Sequence, residues 1–240
     1  MDKQHIFDFQ AGEVLLVDKP LEWTSFDVVN YIRSFLRKIY GWKKLKVGHA
    51  GTLDPLATGL LIVCTGKFTK RIDEFQGMDK MYVGSMHIGA TTPSFDKETE
   101  IDKEFDTAHL SEEMLRDTAQ SFVGEIEQRP PKYSAVKVKG KRAFEYTRNN
   151  EEVKLKTRMV RVNSFDILNL ELPKLDFAIS CSKGTYIRSL ARDLGEKLDN
   201  GAFLTDLRRT QIGNFKVSDA YSLEDFKTAV LEQADSLEKD

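Results

Sequence analysis

The chain has 240 residues, 40% hydrophobic and 31% charged, with a formal net charge of -2 and a mean hydropathy of -0.42. That is enough to bury a core as one large domain or two small ones, and no apolar run approaches the ~20 residues of a membrane span. The opening "MDKQHIFDFQ" lacks a signal-peptide segment, and Cys64 and Cys181 stand far apart without CxxC partners, which argues against a disulfide scaffold or zinc site and for a reducing cytoplasm.

In chain order, "GEVLLVDKP" (12–20) reads as a short apolar strand ended by Pro20. "TSFDVVNYIRSFLRKIY" (24–40) reads as an amphipathic helix with Val29, Ile32, Leu36 and Ile39 on one face and Thr24 with Asp27 as a capping box. The glycine-rich stretch "GHAGTLDPLATG" (48–59) suits neither a helix interior nor a central strand and reads as a shaped loop. An apolar run follows at 60–66, then a strand at 80–90 on which Tyr82 shares a face with Gly84, Met86 and Ile88. A helix is expected near 111–122, capped by Ser111 and closed by Gly124. The stretch 129–148 reads as mostly irregular, 153–172 and 174–184 as strand-like, 186–198 as a helix with Ile187, Leu190, Leu194 and Leu198 inward, and the tail from Ser222 as a last amphipathic helix. Irregular alternation with hairpin-like strand pairs predicts an α+β fold around a mixed, mainly antiparallel sheet with flanking helices.

The near-neutral charge conceals strong segregation. Residues 94–118 carry nine acids and three bases, and residues 219–240 seven acids and two bases, leaving +9 for everything else. Positive charge concentrates in "RKIYGWKKLK" (37–46), with five bases and no acid, and in "RPPKYSAVKVKGKRAFEYTR" (129–148), with seven bases and one acid. Both interleave aromatics with cations, a composition suited to phosphate contact and base stacking, although solvated surface runs look the same.

Residues 48–59 do not fit the phosphate, dinucleotide, metal or glycosidase roles that glycine-rich loops often serve. Gly66-Lys67 has Leu61 where a phosphate loop needs glycine and Phe68 where it needs Ser or Thr, and no G-x-G-x-x-G string occurs. His49 and Asp54 lack clustered metal ligands, and Asp54 lacks the second carboxylate of a glycosidase. There remains a lone carboxylate whose backbone is restricted by Pro55. It could act as a nucleophile or stabilise a developing cation, with a cationic partner keeping it ionised. Arg188, at the start of a helix just after a strand, offers such a partner. Spacing alone leaves open the plainer reading, in which Asp54 caps a turn and Arg188 makes a surface ion pair.

"GHAGTLDPLATGLLIVCTGKFTK" resembles the signature of the TruB family of tRNA pseudouridine synthases. Further similar segments follow in register: "LLVDKPLEWTSFDVV", "DKMYVGSMHIGATTPSFD", "RPPKYSAVKVKGKRAFEYTR", "CSKGTYIRSLARDLGEKL" and "GAFLTDLRRTQIGNF", together spanning most of 12–215. The resemblance implies the pseudouridine synthase fold and an isomerase that breaks the N1–C1′ bond of a uridine, turns the base and rejoins it through C5, without cofactor or metal. It implies Asp54 as the essential catalyst, Arg188 as its partner, Tyr82 stacked on the target base, Tyr186 and Leu207 lining the uracil pocket, and His49 filling the space that flipped bases vacate. The substrate implied is the T-arm stem-loop of tRNA, at the uridine of position 55.

Base extraction costs a few kcal/mol, and phosphate contacts and stacking by the basic stretches can offset it. Lys43, Lys44, Lys46, Arg129, Lys132, Lys137, Lys139 and Arg142 are accordingly expected to grip RNA. Residues 1–215 are expected to form the catalytic domain and 216–240 a short acidic helical extension, without the complete PUA-type RNA-binding domain of many family members. No membrane association and no obligate protein partner are expected, and the cytoplasm is the expected location. Three other readings are an rRNA-directed synthase of the related guide-dependent type, a non-catalytic tRNA-folding chaperone, and a small-molecule nucleosidase, which would not need two basic aromatic stretches.

Overall fold

The computed structural model describes residues 6–134, 137–138, 141–142 and 155–237, and these divide into two compact units. Unit one is Met1–Lys80 with Arg208–Asp240, and unit two is Met81–Leu207.

In unit one, β1 (Val14–Lys19) pairs antiparallel with β3 (Ala57–Thr65), as does the short β2 (Val47–His49). Between β1 and β2 runs helix α1 (Ser25–Tyr40). Its start is fixed by the expected capping box: Thr24 Oγ1 accepts from Asp27 N at 3.0 Å while Asp27 Oδ2 accepts from Thr24 N at 2.9 Å. Val29, Ile32 and Leu36 are buried as expected, joined by Val28. β3 reads as an unbroken apolar run because both its faces are covered. Leu61 and Val63 face α1 and the last helix, α5 (Leu223–Leu237), whereas Leu60, Ile62 and Cys64 pack with Phe75 of α2 (Ile72–Gly77). The acidic tail is thus helical and anchored: Phe226 and Val230 sit in the core with Phe7, Phe9 and Leu15, each worth about 1.5–3 kcal/mol of burial.

In unit two, β4 (Lys80–Ile88), β11 (Lys174–Cys181), β10 (Arg158–Glu171) and β7 (Gly124–Gln128) are neighbours in that order, with antiparallel β10–β11 and β10–β7 pairing. On β11, Leu175, Phe177, Ile179 and Cys181 point inward, as their alternation predicts. Among the described residues this unit has two helices, α3 (Glu112–Gln120), capped by Ser111, and α4 (Ile187–Lys197). Gly124 opens β7 and does not close α3; the helix stops at Ser121. Short pairs complete the unit: β5 (Ala90–Thr91) with β6 (Lys103–Glu104), and β8 (Lys137–Val138) with β9 (Lys141–Arg142).

One long element escapes the sequence pattern. β12 (Ala202–Ile212) crosses from unit two into unit one between Leu207 and Arg208, and its end pairs with β13 (Phe215–Lys216). These pairings make the architecture α+β and mainly antiparallel, as expected. Among the described residues no helix is long and apolar enough to cross a membrane.

Candidate active site

The glycine stretch begins on β2 with Gly48 and His49 and ends on β3, so the loop proper is residues 50–56. Asp54 and Pro55 open a turn closed by Ala57 N donating to Asp54 O at 3.0 Å. Asp and Pro are the preferred residues at these two turn positions. Leu53 is held on the other side by Ser25, whose Oγ accepts from Leu53 N at 2.8 Å and donates to Leu53 O at 3.2 Å. The half-buried Asp54 therefore sits between two fixed neighbours.

Two buried cations brace this loop within unit one. Arg209 is 1% exposed; its Nε donates to Leu60 O at 2.7 Å and its Nη2 to Gly51 O at 3.2 Å. Gly59 must be glycine: its φ is +100°, and a Cβ there would lie 2.3 Å from Arg209 O. Lys19 is fully buried, its Nζ donating to Pro20 O (2.8 Å), Trp23 O (2.6 Å) and Pro55 O (3.3 Å). Burial pulls its ammonium from 10.5 down to about 8, while the Asp54 carboxylate works in the opposite direction. Beside it, Arg208 forks onto Asp18 at 2.6 and 3.0 Å. His49 is kept below the ordinary imidazole range by burial and then by Arg209, against the opposing effect of the Gly51 backbone. Neutral histidine is the form that can rest next to a guanidinium.

Unit two holds the remaining candidates. Tyr82 is buried on β4 and Leu207 half-buried on β12. Tyr186 caps the start of α4: Gln128 Oε1 accepts from its N at 2.8 Å, Gln128 Nε2 donates to its O at 3.1 Å, and the Arg158 guanidinium lies 4.6 Å above its ring. In the first turn of α4, Arg188 points inward, its side chain 4% exposed. It donates to Ser94 O at 3.3 Å and Tyr133 O at 2.8 Å and lies 3.5 Å from Asp96 Oδ2.

Asp96 is a neighbour of Arg188 that the sequence pattern does not single out. It lies in the acid-rich 94–118 segment, yet its side chain is 9% exposed and its Oδ1 accepts from Glu98 N at 3.0 Å. A buried carboxylate beside a buried guanidinium fixes the direction of the arginine.

Of the basic residues expected to meet RNA, Lys43, Lys44 and Lys46 are exposed on the α1–β2 connection of unit one. Arginines hold that connection in place: Arg33 donates to Val47 O at 2.9 Å and Arg37 to Trp42 O at 3.2 Å. In unit two, Arg129 and Lys132 are exposed and border a cavity of about 1080 Å³. Lys137 and Arg142 are described only through their strand pairing, and Lys139 lies outside the described residues. Among the described residues no group of three or more His, Cys, Asp or Glu is placed to hold a metal ion.

Comparison with known proteins identifies the family. Residues 37–187 match the description "TruB family pseudouridylate synthase (N terminal domain)", and residues 188–240 match "tRNA pseudouridylate synthase B C-terminal domain". The chain is 52% identical over 219 residues to a tRNA pseudouridine synthase B of Phocaeicola vulgatus, covering 91% of this chain and 93% of that one. It is 50% identical over 224 residues to its namesake in Flavobacterium johnsoniae, covering 93% and 98%. It also resembles a chain in the crystal structure of a Cbf5-Nop10-Gar1 complex, with a TM-score of 0.69 and 31% identity over 92% of this chain and 54% of that one, so it spans about half of that chain's length. With family matches running from residue 37 to residue 240 and half of the aligned positions shared with such relatives, the chain belongs to the TruB family of pseudouridylate synthases, which are isomerases.

Proposed function

We propose that the chain converts the uridine at position 55, in the T loop of tRNA, to pseudouridine, acting in the cytoplasm without an obligate protein partner. The observation that carries this reading is the clamped Asp54 turn. Hydrogen bonds to Leu53, Pro55 and Ala57 hold the backbone around one carboxylate, so its geometry is set before substrate arrives. Such preorganisation is what a positioned catalytic group needs.

The uridine leaves its stack and meets Asp54 at the ribose. N1–C1′ breaks, C5–C1′ forms, and the proton lost from C5 is balanced by one gained at N1, so no redox partner enters. Whether the carboxylate attacks C1′ or assists a glycal-type route, positive character develops at the sugar, which a carboxylate stabilises. Arg188 is the cationic partner of Asp54, Tyr82 stacks on the base, Tyr186 and Leu207 line the uracil pocket, and His49 takes the space that flipped bases leave. Lys43, Lys44, Lys46, Arg129 and Lys132, with Lys137, Lys139 and Arg142, grip the RNA through phosphates.

The test is an unmodified T-arm hairpin incubated with purified protein and no guide RNA, followed by site-specific pseudouridine mapping. Wild type should yield product at the position-55 uridine alone and Asp54→Asn none. Tight binding without product from wild type would make the protein a tRNA chaperone, and product only on addition of a guide RNA would make it a guide-dependent synthase.

A further inference from the structure

Two large apolar side chains are exposed where the chain enters α1: Leu21, in the turn that supports the Asp54 loop, is 53% exposed and Phe26, in the first turn of the helix, 60%. Their backbone is firmly held. Lys19 donates to Pro20 O and Trp23 O, Glu22 N donates to Pro55 O at 2.9 Å, and Ser25 is tied to Leu53. Glu22 takes the left-handed φ of +65°, which a side-chain-bearing residue keeps only where its surroundings dictate it. The nearby ring of Trp23, which precedes the helix, packs edge-on against Tyr31 at 5.9 Å. Of the two rings, one anchors the turn and one stands in solvent, a residue away from the Ser25–Leu53 bond that flanks Asp54.

A lone exposed leucine or phenylalanine is unremarkable. An exposed aromatic on a held backbone, next in sequence to the Ser25 that is bonded to Leu53, is different, because unpaired RNA bases bind by stacking on such rings. Local charge also selects the base over the backbone. Glu22 and Asp27 are exposed next to Leu21 and Phe26, and their carboxylates disfavour a phosphate there. We propose that Phe26, in the first turn of α1, with Leu21 in the turn that precedes the helix, is a stacking platform for an unpaired base neighbouring the uridine on which Asp54 acts. This deepens the synthase reading above and rests on it.

The test is a cycle between protein and RNA variants. Phe26→Ala, Phe26→Leu and Phe26→Trp are compared with wild type for hairpin affinity, KM and kcat. The RNAs are the T-arm hairpin and versions with a single abasic site at each loop position flanking the target. Phe26→Ala and Phe26→Leu should weaken binding and raise KM about tenfold with kcat within about twofold, while Phe26→Trp keeps wild-type values. On one abasic hairpin wild type should lose the same factor and Phe26→Ala nothing more. Unchanged affinity for Phe26→Ala, or an equal further loss on every abasic RNA, overturns the proposal. A changed oligomeric state with unaltered RNA affinity would assign the ring to a protein contact instead. Affinity reports on Phe26 even if wild type forms no pseudouridine, so failure of the platform and failure of the synthase reading are separable.

Discussion

Asp96→Asn isolates what the buried carboxylate does for Arg188. Asparagine keeps an oxygen for Glu98 N, so the local turn survives, but it places an NH2 where Asp96 Oδ2 faces the guanidinium at 3.5 Å. At that separation and an effective dielectric of about 20, the attraction removed is about 5 kcal/mol. Relief of the carboxylate's own desolvation returns part of it, and Arg188 retains Ser94 O and Tyr133 O, leaving a net loss of about 2–3 kcal/mol. For a chain of this size Tm should fall by about 5–10 °C in a calorimetric melt. With the guanidinium no longer aimed, kcat on the hairpin should drop about ten- to a hundredfold while RNA affinity holds within about threefold. A melt within about 2 °C of wild type together with kcat within about twofold would refute the reasoning.

Three further outcomes are expected. In a 13C-lysine NMR titration, Lys19 should titrate near pH 8. Between there and about 10.5 the unfolded chain holds the extra proton, so this site adds stability as pH rises, up to about 3 kcal/mol; a Lys19→Met variant should lack that slope. Gly59→Ala should cost about 3 kcal/mol in a denaturant melt, since its Cβ collides with the Arg209 backbone at a left-handed φ, whereas Gly77→Ala, which meets nothing within 4 Å, should be neutral or mildly stabilising. Replacing Lys43, Lys44 and Lys46 together by Gln should reduce the slope of log affinity against log salt by about two to three in RNA binding; an unchanged slope would remove them from the interface.

Legibility from sequence follows how cleanly a residue's environment is written in its neighbours. α1 is readable because Thr24 and Asp27 mark its start and Val29, Ile32 and Leu36 keep a helical period. β11 is readable because it alternates. β12 is not, because Asp206, Arg208 and Arg209 interrupt its apolar pattern, and Arg209 is buried through carbonyls supplied by Gly51 and Leu60, distant in sequence. Asp96 disappears among nine acids of similar local context, since only the fold distinguishes a carboxylate turned inward from those left in water. The glycine loop and Asp54 stand out for the opposite reason: glycine and proline record backbone demands in the residues themselves. Lys19 lies between these cases, a lysine at a strand end whose burial comes from carbonyls around it.

Unit one has a consequence for the newborn protein. Its two stretches are separated by the 127 residues of unit two, so β1, α1 and β3 leave the ribosome well before α5 exists. At about 5–20 residues per second the wait lasts roughly 6–25 s. Until Phe226 and Val230 arrive, the cluster that holds Leu15, Val17, Ile32, Leu36 and Leu61 lacks the part of its cover that α5 supplies. The contiguous middle of the polypeptide can form its own contacts in that interval, and apolar surface left open in the amino-terminal portion is the kind that favours aggregation during synthesis.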